Sequence, residues 1–90
     1  MSKQRKRLYQ IKWKESALKS TKKFPKDIRQ KIVETVEGLS EDPFSGDVLT
    51  GDLKGLRRVR IGDYRAIYLV DTAKVVAVIV KVGNRGDIYR

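Results

Sequence analysis

Cysteine and histidine are both absent from the 90 residues. Without thiols there is no disulfide framework, no thiolate nucleophile and no zinc site, and without imidazole the side chain that titrates near neutrality is gone. Most enzyme classes are removed together. Long apolar runs are missing too: the longest, Val75 to Val80, is six residues, far short of the ~20 that span a bilayer. The N-terminus is charged and carries no apolar segment of the secretory kind. A soluble, intracellular protein is the expectation, with neither a membrane partner nor a small-molecule cofactor.

Acidic residues are scarce as well, and unevenly so. Lys and Arg number 21 against 11 Asp and Glu, a formal charge of +10. Met1 to Lys14 holds six basic residues and no acid; Glu15 to Asp52 holds six basic and eight acidic; Leu53 to Arg90 holds nine basic and three acidic. Positive charge therefore belongs to the first segment and the C-terminal part, the footprint of a protein that binds nucleic acid or another polyanion. Ninety residues with 40% hydrophobic content make one small domain with little core to spare.

Leu56 to Tyr68 is the most informative stretch. Gly62-Asp63, flanked by alternating apolar positions, predicts a two-residue type II′ hairpin loop with glycine at the site needing positive φ. That loop pairs Ile61 with Tyr64, Arg60 with Arg65, Val59 with Ala66 and Arg58 with Ile67. Val59, Ile61, Tyr64, Ala66 and Tyr68 then share the core side, while Arg58, Arg60 and Arg65 converge on the other. Like charges placed opposite each other cost roughly 0.2–1 kcal/mol a pair, and the loop Asp63 is the only acid within the hairpin. An anionic ligand is the natural counter-charge. The alternative is three guanidinium groups splayed into water on an exposed sheet face.

The remaining chain supports one α+β domain. Met1 to Arg7 lacks apolar periodicity and reads as a flexible basic tail. Leu8 to Trp13 alternates, with Tyr9, Ile11 and Trp13 on one face, as a half-buried strand does, and Trp13 is a core anchor in this reading. A short helix follows from Glu15 or Ser16 to about Phe24, with Ala17, Leu18 and Thr21 inward. Pro25 breaks the pattern and restarts a helix whose Ile28, Ile32, Val33, Val36 and Leu39 form a stripe of period 3.6. Ser40 to Asp52 is turn-rich and predicts a surface loop with Phe44 and Leu49 tucked in. Strands are expected over 56–61, 64–71 and about 74–82. The last is apolar at both parities, which places the first strand beside it.

The expected order is β-α-α-β-β-β, a helical hairpin packed on one face of a mainly antiparallel four-stranded sheet whose other face is partly open and basic. If the turn at 71–74 makes Val70 face Val75, Arg65 faces Val80 and the last strand leaves the sheet beside the arginines. The turn Gly83-Asn84-Arg85-Gly86-Asp87 can then bring Arg85 and Tyr89 over the open face. Basic groups interleaved with an aromatic describe a site for single-stranded nucleic acid; a frayed terminus is the competing reading.

Leu53-Lys54-Gly55, Leu56 to Ile61, Gly62-Asp63-Tyr64-Arg65 and Val82-Gly83-Asn84-Arg85-Gly86-Asp87-Ile88-Tyr89 resemble the RelE branch of the RelE/ParE toxin superfamily of toxin-antitoxin modules. The resemblance covers residues 8–90, a single RelE-like domain. It implies a metal-independent, cofactor-free toxin that enters the ribosomal A site and cleaves mRNA, the ribose 2′-OH attacking the neighbouring phosphorus, under restraint by a cognate antitoxin. It also implies roles: Arg65, Arg85 and Tyr89 are catalytic, and Arg58, Arg60, Lys54 and Lys81 bind RNA phosphate.

The best-studied pattern has lysines where this chain has Arg58 and Arg60. Arginine does not shed its proton, so these two are cast as clamps for the phosphorane, leaving Tyr89 as the local base. A phenol ionising near ~10 needs the surrounding cations to lower its pKa. Two other readings stay open: a ParE-like inhibitor of DNA gyrase, and a decayed relative that only binds RNA or antitoxin.

Overall fold

The computed structural model describes residues 8–86 and 88. The N-terminal basic tail and Tyr89 lie outside the described residues. The order is β1 (Gln10–Trp13), α1 (Glu15–Lys22), α2 (Lys26–Gly38), β2 (Asp47–Val48), a 3-10 turn (Gly51–Leu53), β3 (Arg57–Ile61), β4 (Tyr64–Asp71) and β5 (Val76–Asn84). The sheet runs β1-β5-β4-β3-β2, with β1 parallel to β5 and the other pairs antiparallel. It has five strands where four were expected. The extra one is the two-residue β2, taken from the segment expected to be loop, and it is too short to show a period. No helix among the described residues is long and apolar enough to cross a membrane.

Both helices cover one face. Ala17 of α1, Ile32 and Val36 of α2 and Leu39 at its C-cap pack on Ile61, Ala66, Tyr68, Ala77, Ile79 and Val82 of the sheet. Trp13 and Ile11 join from β1. Glu15 in the first turn of α1 and Lys19 and Lys22 in its last complement the helix dipole. Pro25 sits at the N-cap of α2, where its missing N–H costs no hydrogen bond, and its carbonyl accepts from Arg29 N at 2.8 Å. Not every expected inward residue is buried: Leu18 and Val33 are exposed on the outer flank of the helical layer. On a helix only about a 100° stripe can face the sheet, and Ala17, Thr21, Ile32 and Val36 occupy it.

The hairpin follows its sequence signal. Gly62 takes φ +61°, and the ladder pairs Ile61 with Tyr64, Arg60 with Arg65, Val59 with Ala66 and Arg58 with Ile67. The β4–β5 pairing departs from expectation. Arg65 faces Gly83 rather than Val80, and Val70 faces Ala77 rather than Val75. Two causes combine. The connecting turn extends through Val75, at φ +57°, with Lys74 N donating to Asp71 Oδ1 at 3.0 Å. A register shift between Ile67 and Tyr68 leaves Val80 as an extra residue on β5. Because of that bulge Ile79 and Lys81, which share parity, point to opposite faces: Ile79 opposes Tyr68 over the helix-covered core, and Lys81 opposes Ile67 on the other face, where Ile67 is itself buried.

Phe44 is exposed rather than tucked in, but it stands edge-on to Tyr9 at 6.2 Å between centroids and beneath Arg57, whose Cζ lies 5.1 Å from its ring. The loop before β2 is pinned by Tyr68. Its hydroxyl donates to Pro43 O at 2.8 Å and accepts from Gly46 N at 3.0 Å. A Cβ at Gly46 would collide with the Tyr68 hydroxyl and with the Arg58 carbonyl, so only glycine fits there. Burial, above all, raises the Tyr68 pKa above 10.0, against the lowering influence of the Gly46 hydrogen bond and Arg57.

Tyr68→Phe leaves both partners of the hydroxyl unsatisfied and is expected to cost about 1–3 kcal/mol in urea unfolding. Since the folded phenol ionises later than the unfolded one, its contribution is complete below pH 10.0 and is lost as pH climbs from there through the raised folded value. Stability measured against pH should therefore fall less steeply above pH 10 in Tyr68→Phe.

Candidate nucleic-acid interface

The open face of the sheet is organised in rows across the strands. One row is Arg60, Arg65 and Gly83; the next is Arg58, Ile67 and Lys81. Successive rows on one face of a strand lie about 7 Å apart. The hairpin register and the Val80 bulge thus bring Arg58, Arg60, Arg65 and Lys81 to one surface. Arg85 lies at the hairpin end, its backbone N donating to Asp63 O at 2.8 Å and its side chain exposed. Lys54 is exposed on the loop after the 3-10 turn, apart from these rows.

The three sheet arginines differ in how they are held. Arg65 Nη1 donates to Gly62 O at 2.9 Å and to Tyr64 O at 3.0 Å. Both hydrogens of that nitrogen are engaged, which fixes the guanidinium plane and leaves Nε and Nη2, the parallel pair of a bidentate fork suited to phosphate. Arg58 Nη2 pairs with Asp47 Oδ2 at 3.0 Å, and Arg60 Nε approaches the same oxygen at 3.9 Å. Asp63 remains the only acid within the hairpin, but a carboxylate from elsewhere in the chain offsets two of the arginines. β2 hydrogen-bonds to β3 with Asp47 in register with Arg58, so the carboxylate arrives from outside the hairpin.

The turn after β5 is fastened through its described residues. Asn84 Oδ1 accepts from Gly86 N at 3.0 Å, and Asn84 O accepts from Ile88 N at 3.0 Å. The Ile88 side chain is buried and lies against Gly83, where an added Cβ would sit 3.5 Å from its Cδ1. Asp47, Asn84 and Ile88 were not among the expected site residues. Asn84 and Ile88 carried a signal, an Asx turn and an apolar residue in an otherwise polar tail; Asp47 carried none, because its partner is remote in sequence.

Chemically the face can grip a phosphodiester backbone. Phosphate would have to displace Asp47 from Arg58 and Arg60. An exposed pair of this kind is worth about 0.2–1 kcal/mol, so Asp47→Asn is expected to tighten binding of a single-stranded RNA probe by about 1.5- to 5-fold at low salt, with the gain fading as salt is raised. Fluorescence anisotropy measures it, and unchanged affinity would show that the carboxylate does not compete.

A family model described as the ParE toxin of the type II toxin-antitoxin system parDE matches residues 11–89. Toxin RelG of Mycobacterium tuberculosis is 34% identical over 84 residues, covering 91% of this chain and 97% of the relative. Toxin RelE of the same species is 34% identical over 77 residues, covering 83% and 79%. Among solved structures, the toxin-antitoxin complex RelBE2 from Mycobacterium tuberculosis superposes with a TM-score of 0.81 at 32% identity, over 89% of this chain and 94% of that one. The archaeal RelE-RelB complex from Pyrococcus horikoshii OT3 gives 0.73 at 31% identity, over 89% and 98%. With the order of elements, the basic open face and these likenesses in agreement, the chain belongs to the RelE/ParE superfamily as a RelE-type toxin of a type II toxin-antitoxin module.

Proposed function

We propose that the protein is a ribosome-dependent mRNA endoribonuclease, acting in the cytoplasm and silenced by a cognate antitoxin that covers the basic face. The observation that carries this reading is the cross-strand pair Arg60–Arg65, with Arg58 and Lys81 in the adjoining row and Arg85 at the hairpin end. Three guanidinium groups facing one side of a small sheet suit a ligand with a concentrated negative charge. The solved complexes of similar toxins with RelB partners support the antitoxin.

In the reaction proposed, the ribose 2′-OH loses its proton to a base and attacks the adjacent phosphorus. A pentacoordinate phosphorane forms, the bond to the 5′-oxygen breaks, and that oxygen takes up a proton as a 2′,3′-cyclic phosphate is left on the upstream fragment. Charge grows on the non-bridging oxygens in the transition state. Arg65 meets them with its Nε and Nη2 donors, with Arg58 and Arg60 adding electrostatic stabilisation once Asp47 yields. Arg85 supplies a further cation from the terminal turn. Tyr89 is assigned the role of base. That role requires neighbouring cations to favour the ionised phenol, and the ribosome contributes the remaining proton transfer.

Toe-printing of translating ribosomes tests target and cleavage together. Arg85→Ala and Tyr89→Phe are each expected to abolish cleavage while leaving the unfolding transition in place; full activity in both would overturn the site assignment. Arg65→Ala should weaken RNA binding and reduce the slope of log affinity against log salt by about 0.7, one single-strand phosphate contact. The matching family model is that of a ParE toxin, and under the ParE-like reading of the sequence the target would be DNA gyrase; inhibition of supercoiling in vitro without mRNA cleavage would favour that target instead.

A further inference from the structure

The open face is not basic throughout. Between the loop carrying the 3-10 turn and the terminal turn lies a slot of about 340 Å³ bounded by Leu53, Leu56, Ile67, Val80 and Ile88. Thr50, Asp52 and Lys81 supply its polar lining. Ile67 lies between Arg58 and Lys81 in the cross-strand row, so this apolar slot is bracketed by two cationic positions. Ile88 is brought to it by the hydrogen bond from its N to Asn84 O.

An apolar slot beside phosphate-binding cations has the chemistry of a nucleotide: a flat base with apolar faces joined to an anionic backbone. Building on the RNA-cleaving reading above, we propose that the slot receives one nucleobase of the bound RNA strand, with Asp52 at its mouth selecting a base that carries an amino group. Bases bind between apolar side chains and are identified by hydrogen bonds to their edges. A carboxylate only accepts hydrogen bonds. It therefore favours the amino-bearing edges of guanine, adenine and cytosine over uracil, whose single edge donor, N3–H, stands between two carbonyl oxygens that repel a carboxylate. An acid on a face otherwise suited to phosphate costs backbone affinity, and a role in reading the base accounts for it.

The flanking cations favour a base over an apolar antitoxin side chain, because a base brings its own phosphate to the adjoining row. The test uses short 2′-O-methyl RNA oligonucleotides, which cannot be cleaved, and anisotropy with the full-length protein. Removing the base at one position of the oligonucleotide should weaken binding by about 5-fold or more, the lower end of the range for a base stacked on an aromatic ring, because this slot is aliphatic. Uracil there should bind several-fold more weakly than cytosine. Asp52→Asn, an exposed change with no packing consequence, should erase the uracil–cytosine difference, and Leu53→Trp should abolish the dependence on the base.

Wild-type protein that is indifferent to every abasic position, that fails to bind the oligonucleotides, or that keeps its base preference in Asp52→Asn overturns the proposal. So does Leu53→Trp blocking antitoxin while the abasic effect persists, which would assign the slot to a peptide. Ribosomal cleavage is scored separately. Cleavage without the abasic effect removes the slot and leaves the nuclease standing, while the abasic effect without cleavage does the reverse.

Discussion

The positive φ at Gly62 is the constraint on which the functional face depends. A type II′ loop of two residues sets a single register for β3 against β4, and in a strand a slip of one residue exchanges the two faces. The observed register buries Ile61, Ala66 and Tyr68 and packs Val59 and Tyr64 against them. Each large apolar side chain withdrawn from water contributes about 1.5–3 kcal/mol. The cost of setting Arg60 opposite Arg65 is no more than about 1 kcal/mol. Burial therefore decides the register, and the arginine cluster is carried along as its consequence on the other face.

The distinction between local and remote information explains what could be read in advance. The hairpin register, the α2 stripe and the placement of β1 beside β5 all follow from patterns within a few residues or from the apolar run in β5. Asp47 does not. It reaches Arg58 because β2 pairs with β3, and β2 starts where it does because the loop before it is held by Tyr68 through Pro43 and Gly46. That lock spans 25 residues from Pro43 to Tyr68. Nothing in Ser45-Gly46-Asp47 announces a tyrosine so far along the chain, and the glycine reads equally well as an ordinary turn residue.

The β4–β5 register was illegible for a different reason. A valine at φ +57° is a rare state for a β-branched residue, so any reading from turn preferences ends the connection one residue early. The bulge at Val80 is equally silent, since Val78, Ile79 and Val80 are all apolar and either parity suits the core. Yet this bulge puts Lys81 on the open face while Ile79 stays in the core. Strand irregularities of this kind re-aim side chains near functional sites. Here the result is one more cation in the Arg58 row.

These cations are not equivalent, and the difference bears on the reaction proposed. Preorganised charge stabilises a transition state without reorganisation when the reaction occurs. Arg65 meets that condition, its guanidinium held by two main-chain carbonyls of a tight turn whose geometry glycine fixes. Arg58 and Arg60 are arranged around an exposed carboxylate on the short edge strand β2, and a ligand must exchange with it. The face thus combines a fixed donor fork with a pair of cations whose counter-charge is displaceable. In the proposed reaction the fork would orient the phosphate as it arrives. The pair would deliver its full attraction only to a ligand anionic enough to replace Asp47, which favours the phosphorane, with its greater negative charge, over the ground-state phosphodiester.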